Sequence, residues 1–279
     1  VSHKIYQVDT FTNVAFGGNP AAVVLLDGPA DPRWLQSIAA EINLSETAFV
    51  FEREEGGYGL RWFTPTVEVD LCGHATIAAA HVLFEESIVP EDEYIRFYTK
   101  SGLLLTRKQG DWIEMNFPVD IIREVEVPPT LATALDFVPK FMAQGKFDYL
   151  VECPSEAFVR NLKPDFELLA TLPVRGVIVT ALSTMEGVDF VSRFFAPGAG
   201  INEDSVTGSA HCTLGAFYRE ILGITEMTAF QASERGGVVK IAMHEERILL
   251  SGQAVMISKG VISAAALTTP ETAETPDSE

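Results

Sequence analysis

Three short stretches of this sequence carry side chains that could do chemistry unaided: Leu44-Ser45-Glu46-Thr47, Cys72-Gly73-His74-Ala75 and Asp204-Ser205-Val206-Thr207-Gly208-Ser209-Ala210. Glu46 is followed by the apolar run Ala48-Phe49-Val50. Burial among such groups penalises a charged carboxylate, which would raise its pKa toward the range useful for general acid–base work. A solvated turn glutamate fits the same segment, and spacing does not decide between them. His74 falls at a predicted helix start, where the dipole disfavours its cation and suits a neutral, hydrogen-bonding imidazole. Asp204 could hold a substrate amine, orient a histidine or cap its own loop. Cys72 precedes the same helix start as His74, a position that favours a thiolate.

The two glycines add a different capability. Helix N-termini leave backbone N–H groups unsatisfied and carry partial positive charge, and glycine lets a ligand approach them closely. Either turn alone would be explained by a tight strand-to-helix connection. A matched pair, Gly73 and Gly208, argues for an anion site built from main-chain donors and suited to carboxylates. No metal is expected: the chain has five histidines, no second Cys pair and no His-Glu-X-X-His helix, although Cys72 lies near His74 and Cys212 beside His211. His81 reads as a core residue. Phe16-Gly17-Gly18-Asn19-Pro20 lacks the lysine of a phosphate loop, and no Gly-X-Gly-X-X-Gly motif follows a strand, so no nucleotide cofactor is expected.

The elements that must position these groups follow from pattern. Strands are read at Ile5–Phe11, Ala21–Leu26, Ala48–Glu52 and Leu60–Thr64, with a helix after Asp31-Pro32. Glu46 therefore lies where a helix hands over to a strand. From Ala75 the chain is apolar on nearly every helical face, which predicts a buried helix. Strands near residues 94–98, 103–106 and 112–117 close this part, and Pro118 with Val127-Pro128-Pro129 suggests a boundary. The second part repeats the plan, with strands at 147–151, 177–180, 190–195, 238–243 and 248–255 and a second apolar helix after Ser209. Arg61-Trp62-Phe63-Thr64-Pro65 is echoed by Arg193-Phe194-Phe195-Ala196-Pro197, then Asp70 by Asp204 and Gly73-His74-Ala75 by Gly208-Ser209-Ala210. The offset is 132 residues at the arginine and 135 at the glycine. Two related halves, about 1–120 and 121–279, would face each other and bring the helix starts together.

Composition sets the limits. At 279 residues, 47% apolar, the chain has ample material for a core, and its net charge of −19 disfavours both nucleic acid and acidic membrane surfaces. No basic-then-apolar leader opens the sequence and no stretch reaches ~20 apolar residues, so neither signal peptide nor membrane span is expected. Three widely spaced cysteines do not read as a disulfide framework and point to a reducing cytoplasm. The Thr/Pro/Glu-rich tail from Thr268 reads as mobile.

Taken in order, Asp9-Thr10-Phe11-Thr12, Gly18-Asn19-Pro20-Ala21-Ala22-Val23, Ser45-Glu46-Thr47, Cys72-Gly73-His74-Ala75-Thr76 and Asp204-Ser205-Val206-Thr207-Gly208-Ser209-Ala210 resemble the PhzF family. The resemblance implies the diaminopimelate-epimerase fold: two similar α/β halves, each a curved, mostly antiparallel sheet around a central helix, with the site in the cleft between them. It implies a homodimeric isomerase, without cofactor or metal, acting on a small carboxylate-bearing molecule. It makes Glu46 the acid–base residue, assisted by His74 and Asp204. Asn19, Cys72, Gly73, Thr207, Gly208 and Ser209 would bind substrate. Two departures matter. Thr207 stands where cysteine-dependent epimerases have their second thiol, and Ser205 replaces a proline usual after Asp204. A two-thiol racemisation is thereby disfavoured, a one-thiol reaction through Cys72 stays open, and so does a ligand-binding or scaffold protein that kept only the cleft.

Overall fold

The structure, a computed structural model, describes residues 2–267, so the tail from Thr268 lies outside the described residues. Asp31 begins the first helix as its type suggests. Its carboxylate accepts from the Arg33 N–H at 2.8 Å, Pro32 takes the first helical position, and the helix Pro32–Ile42 ends on Asn43 in the left-handed region (φ 55°). This helix buries Trp34, Leu35, Ile38 and Ala39 against the outer face of the sheet.

The apolar run after Cys72 becomes the helix Gly73–Glu85, ten of whose thirteen residues are buried, and the second becomes Gly208–Leu222. Both start at the glycine, so each corner belongs to the first helical turn itself. The sheet wraps around them. Lys4–Thr10 pairs antiparallel with Asn19–Leu26, which runs parallel to Glu46–Glu52; Tyr58–Phe63 follows antiparallel, Ile95–Thr99 parallel, then Gly102–Gln109 and Trp112–Pro118 antiparallel. The second series is Met142–Gln144, Asp148–Glu152, Gly176–Leu182, Phe190–Ala196, Glu226–Gln231, Gly237–Met243 and Arg247–Gly252, with the same succession of antiparallel and parallel steps. Trp112–Pro118 pairs with Arg247–Gly252 and so joins the two series.

The run expected as one strand over 248–255 is two. It breaks at Gln253, and Ala254–Val261 then crosses back to pair antiparallel with Lys4–Thr10. Apolar residues stand on both sides of Ser251-Gly252-Gln253, Ile248 to Leu250 before and Ala254 to Ile257 after, which is why pattern alone joins them. Between the two series, Arg123–Glu124 does the equivalent for Met142–Gln144.

The arginines of the sequence echo do the same work twice. Arg61 is paired through Nε with Glu68 at 2.7 Å, and Arg193 through Nε with Glu203 at 2.7 Å. The matching carboxylates are thus Glu68 and Glu203, set 135 residues apart, rather than Asp70 and Asp204. One continuous core surrounds both central helices. Separate clusters lie beneath the outer helices, under Pro32–Ile42 on one side and under Pro129–Leu135, Glu156–Asn161 and Phe166–Leu169 on the other.

Candidate active site

Glu46 is the first residue of its strand and pairs in parallel register with Ala21. Its side chain is only 15% exposed, and its Oε2 lies 3.1 Å from Nε2 of His74. That contact has ion-pair distance without hydrogen-bond alignment, so Oε2 is buried with no hydrogen-bond donor among the described residues. His74 offsets its charge, and the oxygen keeps spare acceptor capacity that a ligand proton can use. Ser45 Oγ lies 3.2 Å from the same His74 nitrogen and donates to the Pro20 carbonyl, also at 3.2 Å. On its other side the imidazole faces Cys72, with Nδ1 at 3.5 Å from Sγ.

These neighbours reverse three expectations. Burial would raise the Glu46 carboxyl, but the charge of His74 beside it, helped by Ser45, holds it below the usual carboxylate value. For His74, burial again opposes charge, yet the charges of Cys72 and then Glu46 facing it hold it well above its ordinary value, which favours the cation over the neutral ring that the helix dipole would favour. Cys72 is pushed up by burial and then by the Glu46 charge, so the helix start does not make it a thiolate. Where Cys72 is a neutral thiol, the charge that remains beside His74 is that of Glu46.

The second turn is built from long-range partners. Asp204 ends the short strand Ile201–Asp204. It accepts from Asn19 Nδ2 at 2.8 Å through Oδ1, and from Thr207 Oγ1 at 2.6 Å through Oδ2. Asp204 therefore bridges the halves rather than simply capping its loop. Burial raises its carboxyl above the usual value, against the pull of His74, Thr207 and Asn19. Asn19 is fully buried and gives its other amide hydrogen to the Val206 carbonyl at 2.9 Å. Both its amide hydrogens are spent, so it positions Asp204, and only its Oδ1 is left to face a ligand. Thr207 is engaged too: its N–H donates to Gln231 Oε1 at 2.8 Å, and Gln231 Nε2 donates to the Asp204 carbonyl at 2.8 Å.

The glycine corners meet. A Cβ added to Gly73 would lie 3.7 Å from Cα of Gly208, and one added to Gly208 would lie 3.7 Å from Cα of Gly73. Neither Cys72 nor Thr207 caps its helix with its side chain. Two sets of N-terminal amides therefore converge beside the Glu46–His74 pair. Ser209 lies one residue into the second helix, where its Oγ accepts from Arg175 Nη2 at 2.9 Å.

The model of the PhzC-PhzF family, described as phenazine biosynthesis-like protein, matches residues 8–260. The chain belongs to this family. An uncharacterized isomerase of Halalkalibacterium halodurans is 50% identical over 254 residues, covering 91% of this chain and 96% of that one. A crystal structure of a PhzF-family phenazine biosynthesis protein from Enterococcus faecalis superposes with a TM-score of 0.89 at 39% identity, covering 94% of this chain and 100% of that one. A predicted epimerase from Pseudomonas aeruginosa, 18% identical with a TM-score of 0.73 over 96% of this chain and all of that one, shares the fold. This PhzC-PhzF member is accordingly an isomerase-type enzyme with the epimerase fold.

Of the residues singled out from sequence, Glu46, Cys72, Gly73, His74, Asp204, Thr207, Gly208 and Ser209 cluster here, with Asn19 behind them. Ligand atoms of Glu46, Cys72 and His74 fall within 4.8 Å of one another. The imidazole lies between the thiol and the carboxylate, with a different nitrogen toward each. That suits a charge relay better than a shared metal. Gln231 and Arg175 were missed. Gln231 had a signal: in Glu226–Gln231 the alternation Met227, Ala229, Gln231 puts a polar residue on the core-facing side. Among the described residues no helix is long and apolar enough to cross a membrane. A cavity of ≈ 360 Å³ lined by Tyr94, Arg96, Arg107, Glu114 and Asn116, among others, shares no residue with this site.

Proposed function

We propose that this chain is a cofactor-independent isomerase. It moves a proton on a small carboxylate-bearing substrate of amino- or hydroxy-acid type, with Glu46 as the single base. One observation carries the reading: a buried carboxylate oxygen without a hydrogen-bond donor, beside two abutting helix starts whose amides are uncapped. Glu46 is ionised at rest and can take a proton from carbon next to a carboxylate or carbonyl. The electron pair moves onto that group, where amides at Gly73, Gly208 and Ser209 would stabilise the negative charge. Once Glu46 is neutral, the His74 cation loses its partner and faces the new anion, which favours return of the proton at the same or a neighbouring carbon. Asp204, held by Asn19 and Thr207, orients the substrate.

A single base fits the second half, where Thr207 stands in place of a thiol. Relatives named isomerases support the reaction class. A thiol reaction through Cys72 is disfavoured by its raised pKa and its burial. The same proposal takes residues 1–120 and 121–279 as the halves that enclose the substrate and the chain as a cytoplasmic homodimer; three free buried cysteines support a reducing compartment.

The test is deuterium uptake from heavy water into a panel of amino and hydroxy acids, read by mass. Glu46→Gln should cut uptake by roughly 10²–10⁴-fold, the usual worth of a positioned acid–base group, while ligand binding persists. Undiminished uptake in this variant would sink the proposal. A scaffold protein would instead show saturable binding and no uptake in the unaltered chain.

A further inference from the structure

Register fixes which residues of the second half stand where Ser45 and Glu46 stand in the first. Phe63 and Phe195 hold matching places in the sequence echo; Thr47 pairs with Phe63 and Val177 with Phe195. Stepping back along each strand gives Glu46 then Ser45 in one half, Gly176 then Arg175 in the other. The neighbouring strands agree, with Ala21 opposite Glu46 and Asp148 opposite Gly176. At the helix starts Gly73 matches Gly208, so His74 matches Ser209. The contacts match as well: Ser45 Oγ meets His74 Nε2 at 3.2 Å, and Arg175 Nη2 meets Ser209 Oγ at 2.9 Å.

One half therefore presents an acid–base set to the glycine corner, and the other presents a guanidinium. Gly176 cannot be replaced by a base, because a Cβ there would run into the Phe194 ring and stand 2.9 Å from the Phe195 carbonyl oxygen. Arg175 is held firmly. Nε donates to Asp148 Oδ1 at 2.9 Å, Nη2 pairs with Asp148 Oδ2, and the rings of Phe147 and Phe194 lie 5.2 and 5.4 Å from its central carbon. The Asp148 side chain is 2% exposed, whereas that of Arg175 is 38% exposed. Nη1 has no hydrogen-bond partner among the described residues. A guanidinium clamped through Nε and Nη2, with Nη1 left open, is preorganised to bind an oxyanion.

We propose that Arg175 is a specificity-determining residue whose open Nη1 edge binds a second carboxylate, so that the enzyme prefers a small dicarboxylic acid. The first carboxylate sits at the amides of Gly73, Gly208 and Ser209, so this inference rests on the proposed function above. A purely structural Arg175, which only steadies Ser209, would bind mono- and dicarboxylates alike.

The experiment follows thermal unfolding of the full chain with matched probes: L- and D-glutamate against glutamine, L- and D-aspartate against asparagine, and glutarate against butyrate. For at least one pair, the dicarboxylate should half-saturate at a concentration about tenfold or more lower, the effect of one charge-assisted contact. Arg175→Met should narrow that ratio to under about twofold. Should that variant not fold, Arg175→Gln with Asp148→Asn removes both charges together, leaves no buried charge unpaired and should narrow the ratio equally. Absence of a preference in the unaltered chain, or its survival in whichever of these variants folds, overturns the inference. Glu46→Gln separates the two proposals, because it should lose deuterium uptake yet keep the dicarboxylate preference. Uptake that persists in Glu46→Gln defeats the base assignment, and Glu46-dependent uptake without the preference defeats only the role of Arg175.

Discussion

At Glu46, burial and a neighbouring cation act in opposite directions, and the cation prevails because it lies 3.1 Å away in a water-poor site. The pair makes its own pH window. Glu46, whose folded pKa is lowered, contributes stability above its unfolded value and loses it as pH falls through the lower folded value. His74, whose folded pKa is raised, contributes fully below its unfolded value near 6.5 and loses it as pH rises through the higher folded value. The pair is therefore fully effective between the ordinary carboxylate and histidine ranges. Deuterium uptake should plateau across that interval, with an acid limb below 4.5 and an alkaline limb above 6.5. In His74→Asn burial acts on Glu46 against Ser45 alone, so the acid limb should move up; a pH–rate profile checks this, and an unmoved limb would mean that another cation sets the Glu46 charge. Residue types alone gave Glu46, His74 and Asp204 as candidates but left their protonation open. A dipole argument uses only the local helix, whereas the deciding charges come from residues 28 positions apart in the chain.

Among elements, the two central helices were the most legible, since a run apolar on every face has nowhere to go but inside. Pattern places their first turns two residues late, because the glycines that begin them look like loop residues until the opposing corner is present. The helix Pro32–Ile42 was legible from its Asp-Pro start. The short helix Glu156–Asn161, capped by Ser155, was not, since six residues give no period to read. Gly73 has an ordinary negative φ and open surroundings, its added Cβ meeting nothing closer than Met115 Cε at 3.6 Å. Gly73→Ala should therefore leave thermal stability unchanged or raise it by about 0.4–1 kcal/mol through the unfolded chain. The same methyl group would occupy the ligand's approach, and carboxylate affinity should fall by about tenfold or more. Paired unfolding and ligand titrations check both; unaltered affinity would remove the corner from the binding site.

Over the whole molecule, the repeat was legible as an ordered echo of residues, and the strand pairings reproduce it step for step. What pattern could not show is how the series interlock. The last strand, Ala254–Val261, leaves its neighbours in sequence to cover the edge of Lys4–Thr10, and Ile262 follows it into the core beneath Pro32–Ile42. The Trp34 indole then donates to the Ala266 carbonyl at 2.6 Å. A chain ending at Gln253 would expose a long, unpaired strand edge and uncover that cluster, so it should aggregate rather than fold as a shortened enzyme. Size-exclusion chromatography checks this; a stable, monodisperse product would contradict it.

The head-to-head meeting of the two central helices has a consequence for the unliganded protein. Their macrodipoles point like poles at each other across van der Waals contact, an arrangement that folding must hold against electrostatic repulsion. Any anion that settles between them screens both poles at once and relieves that tension. Sulfate or phosphate in a storage buffer would do so as readily as a metabolite, stiffening the fold while competing for the seat.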